Sequence, residues 1–88
     1  MLGRKRRGFA RTEVVRDPGI MSGDPTVRGT RILAETILNY LRDGDSPEEI
    51  FDDYPALPMD GIAAVERWAE ETYGPNWRTN KFPPQHPY

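Results

Sequence analysis

From Leu33 onward, apolar side chains recur at Ala34, Ile37, Leu38 and Leu41, the spacing of a helix that buries one face, with Glu35, Asn39 and Arg42 turned away. Gly44 then stands where a left-handed residue closes such a helix. Ser46 opens a second helix as N-cap, with Pro47 at the first helical position and Glu49 three residues on to complete a capping box. This helix is short, carrying Ile50 and Phe51 inward and Asp52 and Asp53 outward, and it must stop at the residue before Pro55. The pattern predicts a third helix from about Met59 to Tyr73, with Ile62, Val65, Trp68 or Ala69, and Tyr73 on one side. Gly61 costs it up to about 1 kcal/mol relative to alanine, and Gly74-Pro75 ends it.

Ahead of the helices the pattern shortens. Val14-Val15-Arg16 before Asp17-Pro18-Gly19 reads as a strand ending in a turn, and Thr26-Val27-Arg28 as its partner. Two strands alone are marginal and need a helix face or a second protomer to lean on. The stretch from Gly23 to Ile32 spends two glycines, a proline and two arginines on a shaped basic loop. Gly23 and Gly29 give backbone freedom, Pro25 fixes its own φ, and Arg28 and Arg31 are presented on the resulting frame. Two readings of these arginines stand side by side: contacts to phosphate or a guanine edge, or an internal ion pair with Asp17 or Asp24 that fixes the loop.

The expected fold class is therefore mostly α with a short N-terminal β-ribbon, built as a three-helix, helix-turn-helix-like unit. At 88 residues the chain has room for one domain, and a core of this size is barely sufficient alone, which favours a dimer. Residues 1–12 read as a flexible basic arm, 13–74 as the ribbon and helices, and 75–88 as a tail rich in proline and aromatic residues. The net charge of −2 hides a separation, with eight Lys/Arg against three Asp/Glu in residues 1–31 and four against eleven afterwards. The basic half suits a polyanion and the acidic half a basic protein surface.

Composition also narrows the chemistry. There is no cysteine, so no disulfide framework or thiolate metal site forms, and no apolar run reaches the roughly 20 residues of a membrane helix. The basic start at Arg4 to Arg7 is followed by no apolar signal segment, and the expected location is the cytoplasm. His86 is the single histidine, Asp43-Gly44-Asp45 lacks the remainder of a calcium loop, and Ser46 and Thr30 have no nearby base. Neither an enzyme, a cofactor nor a metal is expected.

Four ordered motifs carry a family resemblance: Asp17-Pro18, Gly23-Asp24-Pro25, Gly29-Thr30-Arg31-Ile32, and Gly44-Asp45-Ser46-Pro47-Glu48-Glu49-Ile50 with Tyr54-Pro55-Ala56-Leu57. Over roughly Val14 to Ala69 the chain resembles the small prokaryotic family known as domain of unknown function four-three-three, whose members look like antitoxins of toxin–antitoxin pairs. It departs from that family at Asp24, Leu33 and Pro58. The resemblance implies a helix-turn-helix-like body and a PIN-like ribonuclease toxin as partner, while the small core and the marginal ribbon point to a homodimer.

In a helix-turn-helix unit the later helix reads the major groove, but here that helix holds one arginine, Arg67, against four carboxylates. Contacts to promoter DNA are therefore expected at Arg28, Thr30 and Arg31, at the arm residues Arg4, Lys5, Arg6 and Arg7, and secondarily at Arg42. Trp77, Arg78, Lys81 and Phe82, with Tyr88 beyond, fit a toxin-binding tail of aromatic and cationic anchors. Arg78 or Lys81 has the charge to enter the acidic metal site of such a toxin. The other arrangement weighed for Trp77 and Phe82 is a fold-back onto the third helix that covers a small core. Two further functional readings are a stand-alone transcription regulator and a protein-interaction module that docks a basic partner through its acidic helices.

Overall fold

The computed structural model describes residues 11–80. Within them the chain forms two short strands, β1 (Val14–Val15) and β2 (Thr26–Val27), and three helices, α1 (Ala34–Arg42), α2 (Pro47–Asp53) and α3 (Gly61–Tyr73). The strands are antiparallel, pairing Val14 with Val27 and Val15 with Thr26. A further antiparallel bridge joins Thr26 to Leu33, so the chain folds back on β2 a second time before α1 begins. No helix among the described residues is long and apolar enough to cross a membrane.

The corner between α1 and α2 is written in local hydrogen bonds. Asp43 ends α1, Gly44 takes φ 82°, and the N–H groups of Gly44 and Asp45 donate to the carbonyls of Leu41 and Tyr40 at 3.1 and 3.0 Å, a complete Schellman closure. One residue later the Ser46 side chain accepts from the Glu49 N–H at 3.2 Å, and Glu49 Oε1 accepts from the Ser46 N–H at 2.9 Å. Both orphan donors at the start of α2 are thereby satisfied.

The core gathers where α1, α3 and β2 meet. Ala34, Ile37, Leu38 and Leu41 of α1 are buried as the periodicity requires, together with Val27, Ile50, Val65 and Ala69. At the Trp68/Ala69 alternative Ala69 goes inside, while Trp68 stays half-buried and meets Tyr73 edge-on at 6.0 Å between ring centroids. Phe51, expected inward beside Ile50, is only half-buried.

α3 starts at Gly61, two residues past Met59, with Asp60 as its N-cap residue. Its carboxylate accepts the Thr12 N–H at 2.8 Å and the Thr12 hydroxyl, and gives no cap to its own helix. The Thr12 carbonyl in turn accepts from Arg67 Nη2 at 2.7 Å. Thr12, counted with the N-terminal arm by composition, is thus tied to both turns at the start of α3.

Gly61 also has a reason that its helix propensity hides. A Cβ there would lie 2.7 Å from Leu57 Cδ1 and 2.9 Å from Leu57 Cγ, and Leu57 is itself buried. The missing side chain lets Leu57 seat against the helix, so alanine is not the better residue at this position.

Candidate functional site

The loop between β2 and α1 is a tight hairpin whose tip is Arg28-Gly29-Thr30-Arg31. The Thr30 N–H donates to the Val27 carbonyl at 3.0 Å, and Gly29 alone of the two central residues has positive φ, 84°, which makes this a type II turn. Below the tip the Val27 N–H donates to the Ile32 carbonyl at 2.9 Å, and the Ala34 N–H to that of Pro25 at 3.0 Å. The Thr30 hydroxyl donates to the Val27 carbonyl at 2.8 Å and accepts from the Ile32 N–H at 2.9 Å. Thr30, expected as a DNA contact, spends its hydroxyl on holding the turn.

Arg28 and Arg31 are both exposed, and neither forms an ion pair among the described residues. The alternative pairing with Asp17 or Asp24 is absent there; Asp17 instead accepts the Gly19 N–H at 2.9 Å. Two guanidinium groups are therefore exposed on a backbone fixed by five local bonds, a frame that needs little ordering when an anion arrives.

Beside the tip lies an open groove of about 760 Å³, to which Arg31 contributes together with Ile20, Met21, Ile32, Thr36 and Tyr54. Met21 and Ser22 adopt φ of 50° and 56°, followed by Gly23 at 85°, so three successive residues are left-handed. For the first two this costs about 1–2 kcal/mol each. Strain of this kind concentrates at working surfaces, and here it leaves Met21 39% exposed at the groove. The sequence reading missed the groove because three separated segments build it; the one local signal was the apolar pair Ile20-Met21 between two turns.

Arg42 has a different fate from the tip arginines. Its Nε donates to the Trp77 carbonyl at 2.9 Å, its Nη2 to that of Asn80 at 3.0 Å, and its guanidinium lies over the Tyr73 ring. It is half-buried and fastens residues 75–80 to the helices instead of facing outward as a DNA contact. Trp77 is 8% exposed and belongs to the core, the fold-back arrangement. Arg78 lies 4.4 Å from the centroid of the Trp77 ring, donates to the Leu41 carbonyl at 3.2 Å and approaches Glu66 at 3.7 Å, yet keeps over half of its side chain exposed. Of the four tail anchors, Lys81 and Phe82 lie outside the described residues, as do Arg4, Lys5, Arg6 and Arg7 of the arm.

The helices present the opposite charge. On α2, Glu48, Glu49, Asp52 and Asp53 are exposed, and Asp45, Glu49, Asp52 and Asp53 surround a hollow of about 270 Å³ with Tyr40. The Tyr40 hydroxyl donates to Asp53 Oδ2 at 2.8 Å, and this bond, before desolvation and the Asp53 charge, pushes the phenol up to about 12. Burial, then the Glu35 carboxylate at 2.9 Å, raises Tyr73 above its ordinary value. Among the described residues no three His, Asp or Glu side chains are grouped to hold a metal ion. Phosphate would repel α2, and Arg67 on α3 is already committed to Thr12, so an anionic partner finds the hairpin tip more favourable than either helix.

A family model described as a protein of unknown function (DUF433) matches residues 14–69. No curated protein and no solved structure matches the chain.

Proposed function

Because the chain belongs to DUF433, a family of proteins of unknown function matched over well over half its length, we propose a role from its own surface: a cytoplasmic, homodimeric, non-enzymatic antitoxin. In this reading it neutralises a PIN-like ribonuclease toxin and binds its own promoter DNA. The observation that carries the proposal is the pair Arg28 and Arg31, exposed and without an ion-pair partner among the described residues, on a turn pinned by Thr30. Such arginines make charge-assisted, often bidentate bonds to phosphate or a guanine edge. The toxin-facing end begins at Arg78, whose guanidinium remains largely exposed beside the Trp77 ring, and continues through Lys81 and Phe82.

Two measurements test it. Affinity of the full chain for its upstream duplex, taken across a salt series, is expected to fall steeply with salt, and Arg28→Ala with Arg31→Ala to flatten that slope by about two phosphate contacts. Co-expression with the neighbouring reading frame is expected to yield a complex, lost when the chain is cut after Asn80 but not when Arg28 and Arg31 are replaced. A flat salt response removes the DNA role; no complex removes the antitoxin role and leaves a stand-alone regulator.

The exposed carboxylates of α2 favour a second reading, a protein-interaction module that docks a Lys/Arg-rich partner and binds no DNA. It predicts capture by a basic surface that is abolished by Glu48→Gln with Asp52→Asn.

A further inference from the structure

The groove beside the hairpin is chemically unlike the rest of the surface. Arg31 is the single formal charge among the residues that line it, set against Ile20, Met21, Ile32, Leu33 and Ala56. The guanidinium has no ion-pair partner, and the Thr36 hydroxyl no hydrogen bond, among the described residues. An apolar trough with a few convergent polar groups is the usual form of a recognition site. Four carboxylates, those of Asp45, Glu49, Asp52 and Asp53, gather instead around Tyr40, whose ring meets that of Tyr54 edge-on.

We infer that this groove docks a short segment of a partner protein that carries a large apolar side chain followed by a carboxylate, the apolar group lying between Met21 and Tyr54 and the carboxylate received by Arg31. Charge complementarity selects the occupant. An apolar floor gives nothing to a sugar–phosphate chain, a purely apolar segment would leave Arg31 unanswered, and a basic segment would be repelled by it. Met21 suits the task because its unbranched thioether adapts to more than one apolar shape. The inference rests on the reading of the chain as a binding protein, and adds a docking surface separate from its C-terminal end.

The test titrates the isotope-labelled full chain with an acetylated, amidated peptide Leu-Phe-Leu-Asp-Glu and with its Leu-Phe-Leu-Asn-Gln analogue, followed by NMR shifts. Saturable shifts confined to Ile20, Met21, Ile32, Thr36 and Tyr54 are expected, with the neutral analogue roughly tenfold weaker. Arg31→Gln is expected to erase the difference between the two peptides. Ala56→Trp, which fills the groove from an exposed loop position, is expected to abolish binding of both without altering the far-ultraviolet circular dichroism. Equal affinity for the two peptides, shifts away from the groove, or binding that survives Ala56→Trp would overturn the inference. Arg31 is shared with the proposed DNA contact, so Arg28→Ala alone tests the salt slope, truncation after Asn80 the toxin complex and Ala56→Trp the groove, and the two proposals fail separately.

Discussion

The guanidinium of Arg42 lies 4.7 Å from the centroid of the Tyr73 ring, and from that position it reaches two carbonyls of the segment that follows α3. One side chain on α1 thus closes the open end of the core. Arg42→Ala removes the bonds to the Trp77 and Asn80 carbonyls and the cation from the ring, a loss of about 2 kcal/mol. A drop of roughly 10 °C in Tm and a red-shifted Trp fluorescence are expected. Arg42→Lys keeps the charge but not the fork, and restores less than half the loss. A wild-type Tm in the alanine variant would show that the fastening is idle.

Gly61→Ala separates two opposed effects. Helix propensity predicts a gain of about 0.5–1 kcal/mol, whereas the collision with Leu57 predicts an overpacking cost of about 1–3 kcal/mol. The collision wins, so the urea midpoint falls. Adding Leu57→Val to Gly61→Ala is expected to recover part of the stability, a non-additivity that only direct contact explains.

Thr26 is 1% exposed and its hydroxyl has no hydrogen-bond partner among the described residues. A buried, unanswered hydroxyl is a liability, and Thr26→Val replaces it with a methyl of like shape on a strand that favours valine. A gain of about 1 kcal/mol, or roughly 4–8 °C in Tm, is expected by thermal melts. A lower Tm would mean that the hydroxyl is satisfied after all.

Stability is expected to erode at both ends of the pH scale for different reasons. The Thr12 hydroxyl and then its N–H hold the Asp60 carboxyl below its ordinary 3.8, so the contribution of this contact is complete above that value and is lost as pH falls through the lower, folded one. Tyr40 is raised from 10.0 to about 12, so its bond to Asp53 contributes fully below pH 10 and is lost as pH climbs through the folded value. Urea midpoints for Asp60→Asn are expected to show a shallower acid limb, and for Tyr40→Phe a shallower alkaline one. Unchanged limbs would remove these two contacts from the pH response.

Much of the fold was legible because its signals are short-range. Gly44, Ser46, Pro47 and Glu49 encode the α1–α2 corner within six residues, and the apolar spacing of α1 names its buried face without help from elsewhere. The exposure of Arg28 and Arg31 followed from the glycine-framed loop, but their freedom from Asp17 and Asp24 did not, since spacing cannot say which carboxylates lie within reach. The misreadings come from long-range partners. Arg42 turns inward because Trp77 and Asn80 come back across the core, more than thirty residues along the chain. Thr12, grouped with the arm by composition, is held to the body because Asp60, forty-eight residues later, takes its N–H. The groove assembles from Ile20-Met21, Arg31 to Thr36 and Tyr54 to Ala56, and no single stretch reveals it.

Trp77 gives the C-terminal end a double duty, since the indole that plugs the core stands three residues before the last described position, Asn80. Loss of the indole would uncork the core beside Tyr73 and Leu41, which are buried with it. A partner could therefore seize that ring only by prising the core open around it.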